Sequence, residues 1–117
     1  MSRSADRQRL ALRTTDLFVL AVLSAGPHHG YALSQAIGER SGGRVQVRPG
    51  DLYRVLYRMD AAGLIEEVPE RARPSGDARR AYYRITPLGR RTARDQAQML
   101  ADVCGAMLTR AAKEILP

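Results

Sequence analysis

The chain has 117 residues, 44% of them hydrophobic, enough for about one globular domain with a buried core. Its 19 basic side chains outnumber 12 acidic ones, and the resulting formal charge of +7 favours polyanionic partners, nucleic acid first and an anionic membrane surface second. A single cysteine, Cys104, excludes an internal disulfide framework and a cysteine-built zinc site, and no cofactor or metal is expected.

Residues 1–13 are polar and arginine-rich and read as an N-terminal arm. Thr15 is the predicted N-cap of a first helix, with Asp16 close to its positive end. Residues 17–23 are apolar on all sides, so this helix should lie in the middle of the core, and Gly26-Pro27 stops it. The run is far below the roughly 18 residues of a membrane span, and it lacks a cleavage pattern, so a cytoplasmic protein without a membrane partner is expected. A second helix opens at Gly30 and runs to about residue 40, with Leu33 and Ile37 on one face and Ala32 and Ala36 allowing close approach. Ser41-Gly42-Gly43 ends it. Val45-Gln46-Val47 alternates and reads as a minimal strand completing a small sheet.

The third helix is predicted over residues 49–62, with Pro49 at its first position. Leu52, Val55, Leu56 and Met59 recur at i, i+3, i+4, i+7 and mark its buried stripe. Opposite lie Gly50, Arg54, Tyr57 and Ala61, flanked by Tyr53 and Arg58, and Gly63 follows as a C′ glycine. Residues 64–68 and 81–86 read as paired strands, with Tyr83 and Ile85 on one face and Tyr82 and Arg84 on the other. The long turn between them carries Arg71, Arg73, Arg79 and Arg80 against Asp77. Thr86-Pro87 then reads as N-cap and first residue of a final helix reaching almost to residue 117. On that helix Ala97, Leu100, Cys104, Met107 and Ala111 are spaced 3-4-3-4, a coiled-coil-like seam for a second copy of the chain. The fold expected is mainly α with a small β-wing: an arm (1–13), a winged helix-turn-helix domain (14–87) and a C-terminal dimerisation helix (88–117).

Eighteen of the basic residues are arginines, eight of them within residues 71–94, and Arg40, Arg44, Arg48, Arg54 and Arg58 form a second group. A basic helix followed by a basic hairpin suits double-stranded DNA, because the planar guanidinium donates two parallel hydrogen bonds to phosphate or guanine. On the third helix the candidate contacts are Arg48, Gly50, whose bare backbone can approach a phosphate, Tyr53, Arg54, Tyr57 and Arg58. Tyr31 opens the preceding helix. Arg71, Arg73, Arg79 and Arg80 are the wing candidates, suited to the narrow minor groove. The blander reading makes the tyrosines packing residues and the arginines a solvated face. A winged-helix adaptor that binds protein instead of DNA is the alternative function. His28-His29 is read as a turn or phosphate contact in preference to a metal site. Cys104 is read as a small apolar filler before a redox sensor. Met99, Leu100, Met107 and Leu108 line either a packed interface or an effector pocket. No nucleophile, acid–base pair or phosphate-binding glycine loop supports catalysis.

Residues 17–86 resemble the PadR family of bacterial transcriptional regulators. The resemblance rests on His29-Gly30-Tyr31, on Pro49-Gly50-Asp51-Leu52-Tyr53, on residues 59–65 (Met-Asp-Ala-Ala-Gly-Leu-Ile), and on residues 80–89 with their doubled tyrosine Tyr82-Tyr83. The single last helix is similar to the family's smaller subgroup. The resemblance implies a homodimeric winged-helix repressor on a roughly palindromic operator, dimerised by its last helix and released by a small-molecule effector near the dimer centre. The family usually carries serine or threonine where Asp51 stands and proline where Arg54 stands. A carboxylate close to phosphates is unfavourable, so Asp51 should serve its own helix, by reaching back to the Arg48 N–H or by favouring the dipole. Arg54 adds a basic group on the DNA side. Tryptophan is absent, so the aromatic sandwich for planar drugs has no counterpart.

Overall fold

The computed structural model describes residues 12–74 and 79–115. The arm expected over residues 1–13 lies outside the described residues except for Leu12 and Arg13, and so does the centre of the wing turn, residues 75–78. In chain order the elements are α1 (Thr14–Leu23), β1 (His28–His29), α2 (Gly30–Arg40), α3 (Pro49–Ala61), β2 (Ile65–Glu67), a 3-10 turn (Glu70–Ala72), β3 (Tyr82–Ile85) and α4 (Pro87–Ile115). The architecture is mainly α with a small antiparallel wing, a winged helix-turn-helix continued by one long helix.

Val19, Leu20, Val22 and Leu23 of α1 form the centre of the core, while Leu17 and Phe18 of the same apolar run are half-buried and Ala21 is exposed, so the helix is covered on most but not all sides. They meet Leu33 and Ile37 of α2, Leu52, Leu56 and Met59 of α3, and Leu64, Ile65 and Ile85 of the wing. Each such side chain contributes about 1.5–3 kcal/mol by leaving water. The start of α1 differs from the expectation. Arg13, not Thr15, is the N-cap residue, and Asp16 stands at the third helical position, where its Oδ2 accepts from the Arg13 N–H at 2.9 Å. A carboxylate three residues inside the helix reaches the free donor at its start, which a cap at Thr15 could not do.

The sheet has three strands in the order β1-β3-β2, all antiparallel. Its third strand is His28–His29, paired with Tyr83 and Tyr82, and not Val45-Gln46-Val47. Val45 cannot join a ladder because its backbone is occupied locally: its N–H donates to Ser41 Oγ (2.9 Å) and its carbonyl accepts from the same hydroxyl (3.2 Å). Val45 and Val47 pack instead against the edge of the core. In β2 and β3 Ile65 faces Ile85 and Glu66 faces Arg84, whose side chains lie 3.5 Å apart. Tyr82 is buried even though it lies on the face away from Ile85, with its ring edge-on to His29 at 5.3 Å.

Helix α3 ends in a Schellman turn: Gly63, at φ 78°, donates to the Asp60 carbonyl and Leu64 to that of Met59, both at 2.9 Å. The same two residues bind the start of α4. Thr86 donates its N–H to the Leu64 carbonyl at 3.0 Å and its hydroxyl to the Gly63 carbonyl at 2.6 Å, and its Oγ1 accepts from the Gly89 N–H at 3.0 Å. Thr86 is thus the N-cap of α4, with Pro87 first in the helix. Gly89 is required by space. A Cβ there would overlap the Leu64 carbonyl oxygen and lie 2.8 Å from Ile85 Cγ1.

Helix α4 has 29 residues, about 43 Å at 1.5 Å per residue. Leu88, Gly89, Thr92 and Gln96 pack on the domain, while Met99, Leu100, Val103, Met107 and Leu108 are exposed. Among the described residues no helix is long and apolar enough to cross a membrane. Because Gly89 rests against backbone that cannot yield, Gly89→Ala should cost about 1–3 kcal/mol or more. Thermal unfolding followed by circular dichroism checks this, with a fall in midpoint of roughly 4–8 °C per kcal/mol.

Candidate nucleic-acid interface

Helices α2 and α3 form the helix-turn-helix, and the way each begins sets its position. The first turn of α2 is capped by a histidine: His29 Nδ1 accepts from the Ala32 N–H at 3.1 Å, while its Nε2 lies 3.1 Å from Arg80 Nη1 at the base of the wing. Tyr31 is exposed and its hydroxyl accepts from Gln35 Nε2 at 3.0 Å. Tyr53 of α3 lies over Gly30, where a Cβ would stand 3.6 Å from its hydroxyl. These residues, with Arg79, Arg80 and Tyr83, line an open cleft of about 370 Å³ between α2, α3 and the wing. Burial, then the neighbouring Glu67, Tyr53 and Asp60, push the Tyr83 phenol up.

Beyond this flank the surface of α3 is open. Arg54 is 84% exposed and Tyr57 81% exposed, and both lie opposite the buried stripe. Arg48 and Gly50 are exposed at its first turn, and nothing lies within 4 Å of where a Gly50 Cβ would stand. Arg48 caps α3 with its backbone only. Asp51 accepts from Arg54 Nη1 at 3.4 Å, a solvated pair, and stands in the first turn where its charge favours the helix dipole.

Two expected contact residues are engaged elsewhere. Arg58 turns towards α1 and grips Asp16 with both ends of its fork, Nη2 to Oδ1 at 2.6 Å and Nη1 to Oδ2 at 3.1 Å. The Asp16 side chain is 0% exposed and that of Arg58 46%. Hydrogen bonding to Asp16 pushes the Arg58 guanidinium above its already high usual range, against partial burial and with the help of the Asp16 charge. Arg73, only 14% exposed, folds back on the wing, with Nη2 on Glu67 Oε1 at 3.1 Å and Nε on the Val68 carbonyl at 3.3 Å. Arg71, Arg79 and Arg80 are exposed around the wing base. Sequence reasoning missed Asp16 as a structural acid and His29 as a cap. The signal for Asp16 was its place at the head of an otherwise apolar helix, where a buried carboxylate demands a partner.

On α4 the predicted seam is part of a wider apolar face. Ala97, Leu100, Met107 and Ala111 are exposed and Cys104 half-buried, and Met99, Val103 and Leu108 extend the same surface, the last two 70% exposed. Val103 was missed because the 3-4 spacing passes it by.

A family model described as the transcriptional regulator PadR-like family matches residues 19–95. The chain belongs to the PadR-like family. Its members are transcription regulators and not enzymes. This PadR-like chain is 37% identical over 101 residues to the transcriptional regulator Rv3488 of Mycobacterium tuberculosis, across 86% of each protein. It is 35% identical over 96 residues to an uncharacterized 37.1 kDa protein of transposon TN4556 from Streptomyces fradiae, matching 80% of this chain but only 26% of that longer relative. Among solved structures, a PadR family transcription regulator from Clostridium difficile superposes with a TM-score of 0.69 at 22% identity, covering 85% of this chain and 99% of the other. A PadR-like transcriptional regulator from Bacillus cereus gives 0.68 at 24%, covering 82% and 89%. At these identities the two structures establish the shared fold.

Removing Arg58 leaves a buried carboxylate without its counter-charge, so Arg58→Ala should destabilise the domain by roughly 3–5 kcal/mol. Urea unfolding measures it, and a loss below about 1 kcal/mol, the worth of an exposed pair, would show that Asp16 is not truly desolvated.

Proposed function

We propose that the chain is a cytoplasmic, sequence-specific DNA-binding transcriptional repressor that acts as a homodimer on a roughly palindromic operator. The observation that carries this reading is the open face of α3, where Arg54 and Tyr57 stand clear of the protein beside a wing base bearing Arg71, Arg79 and Arg80. Helix α3 enters the major groove with its first turn foremost. The N–H groups beside Gly50 and the side chains of Arg48 and Tyr53 meet phosphate, and Arg54 and Tyr57 meet base edges or the adjoining backbone. Tyr31 touches the neighbouring phosphate from the start of α2, and the wing arginines follow the next minor groove. Membership of the PadR-like family supports the regulatory role.

Two copies join through the apolar face of α4. Leaving Leu100, Val103, Met107 and Leu108 in water on a helix projecting from the domain is the exposure a subunit partner removes. The dimer would hold its two α3 helices about one helical turn apart, roughly 34 Å. Ligand response is supported by an open groove of about 520 Å³ between α1 and α4, lined by Leu17, Ala21, Ala93, Arg94, Ala97 and Leu100, a volume suited to a small molecule. An effector seated there alters how α4 leaves the domain and so misplaces both reading helices at once.

Salt titration of binding to a duplex bearing the chain's own upstream region tests the DNA reading. A steep fall of affinity with salt is expected, and Arg48→Ala should flatten the slope by about one unit. A salt-insensitive or undetectable interaction would favour the protein-binding adaptor instead. For the dimer, Val103→Asp combined with Met107→Asp should convert the protein to a monomer in light scattering and weaken operator binding by about 10²-fold or more.

A further inference from the structure

The contact between Asp16 and Arg58 joins residues 42 apart in sequence and lies on the flank of α3 away from the wing. It forms the floor of a polar cleft of about 300 Å³, whose rim carries Arg13, Gln46, Asp51 and Arg54. The geometry points to a division of labour between two arginines one turn apart on the same helix. We infer that Asp16 and Arg58 are a positioning pair, which sets the angle at which α3 is presented to DNA, and that Arg58 is not itself a phosphate contact. The inference rests on the DNA-binding reading and assigns a role within it.

Three observations carry it. Both oxygens of Asp16 are occupied, Oδ1 by Arg58 and Oδ2 by Arg58 and the Arg13 N–H, so the carboxylate fixes the guanidinium in plane and in direction. Asp16 has no exposed side-chain surface, so the anchor lies in the rigid first turn of α1 and not in a solvated loop. Its charge cancels that of Arg58 at hydrogen-bond distance. The pair therefore offers a phosphate no net charge, whereas Arg54 is held only by the solvated Asp51. A bidentate clamp also resists rotation of α3 about its own axis, the motion that would swing Arg54 and Tyr57 off the base edges, and sub-ångström placement of such groups decides specificity.

The test uses the full chain, a duplex recovered by the wild type from a random-sequence pool, and a scrambled duplex of equal length. The double variant Asp16→Asn/Arg58→Met keeps the net charge and leaves no buried carboxylate behind. Its affinity for the recovered duplex should fall about tenfold or more, while affinity for the scrambled duplex stays within about twofold and the salt slope is unchanged. Circular dichroism at the assay temperature confirms that the variant is folded. A slope reduced by about one unit makes Arg58 a phosphate contact and overturns the proposal. So does recovered-duplex affinity within about twofold of wild type, which confines the pair to stability. Should the double variant unfold, Arg58→Lys decides. Its single ammonium cannot span both oxygens, so the same loss of discrimination is expected, and wild-type discrimination refutes the role. If the wild type recovers no duplex and binds none at low salt, the DNA-binding reading itself falls and takes this one with it.

Discussion

Asp16 carries a carboxylate out of all contact with water, and α1 can pack around it because three donors converge there, the Arg13 N–H and both ends of the Arg58 fork. Desolvating such a pair costs several kcal/mol per ion and is offset only when the geometry satisfies both partners. Here each charge also sits at the helix end that favours it. Asp16 is in the first turn of α1, near that helix's positive pole, and Arg58 is in the last turn of α3, near its negative pole. The pair thus ties the beginning of the central helix to the end of the exposed one. That tie fixes the outward face of α3 relative to the core, independently of the apolar contacts on its inner side.

The opposite flank of α3 is held by different means. Tyr53 lies over Gly30, and the start of α2 is capped by His29, whose other nitrogen faces Arg80 of the wing. One side of the helix is therefore fixed by charge and the other by an aromatic ring on a bare backbone. Between them Arg54 and Tyr57 form an uncovered ridge. This arrangement explains why residues of the same type on one helix are not equivalent. Position around the helix axis decides whether an arginine meets a buried acid or open solvent.

The helices were legible because their signals are local. The i, i+3, i+4, i+7 stripe of α3, the glycine at 63 and the threonine–proline pair at 86 and 87 each act within one or two turns, and each stands where it was read. The Asp16–Arg58 contact was not legible, since helix periodicity carries no information about a partner 42 residues away. The third strand was misread for a related reason. The alternation of Val45 and Val47 is a real burial pattern, but strand formation needs a free backbone donor and acceptor, and the Ser41 hydroxyl already engages both the N–H and the carbonyl of Val45. Arg73 looked like its neighbours in the wing turn, and only the fold brings Glu67 and the Val68 carbonyl within its reach.

The joint between α3 and α4 links the two ends of the molecule. The backbone that closes α3, at Gly63 and Leu64, is the same backbone that receives Thr86 and leaves room for no side chain at Gly89. Hydrogen bonds of 2.6 and 3.0 Å and a contact with no slack leave α4 little freedom to pivot about its first turn without carrying the end of α3 with it. Close-packed contacts of this kind transmit displacement instead of absorbing it. A helix of 29 residues amplifies the effect, because a small rotation at its start becomes a large displacement at its exposed apolar end, and the reverse holds equally. The exposed apolar face of α4 and the ridge on α3 are therefore mechanically one element, joined through a glycine that no other residue can replace without strain.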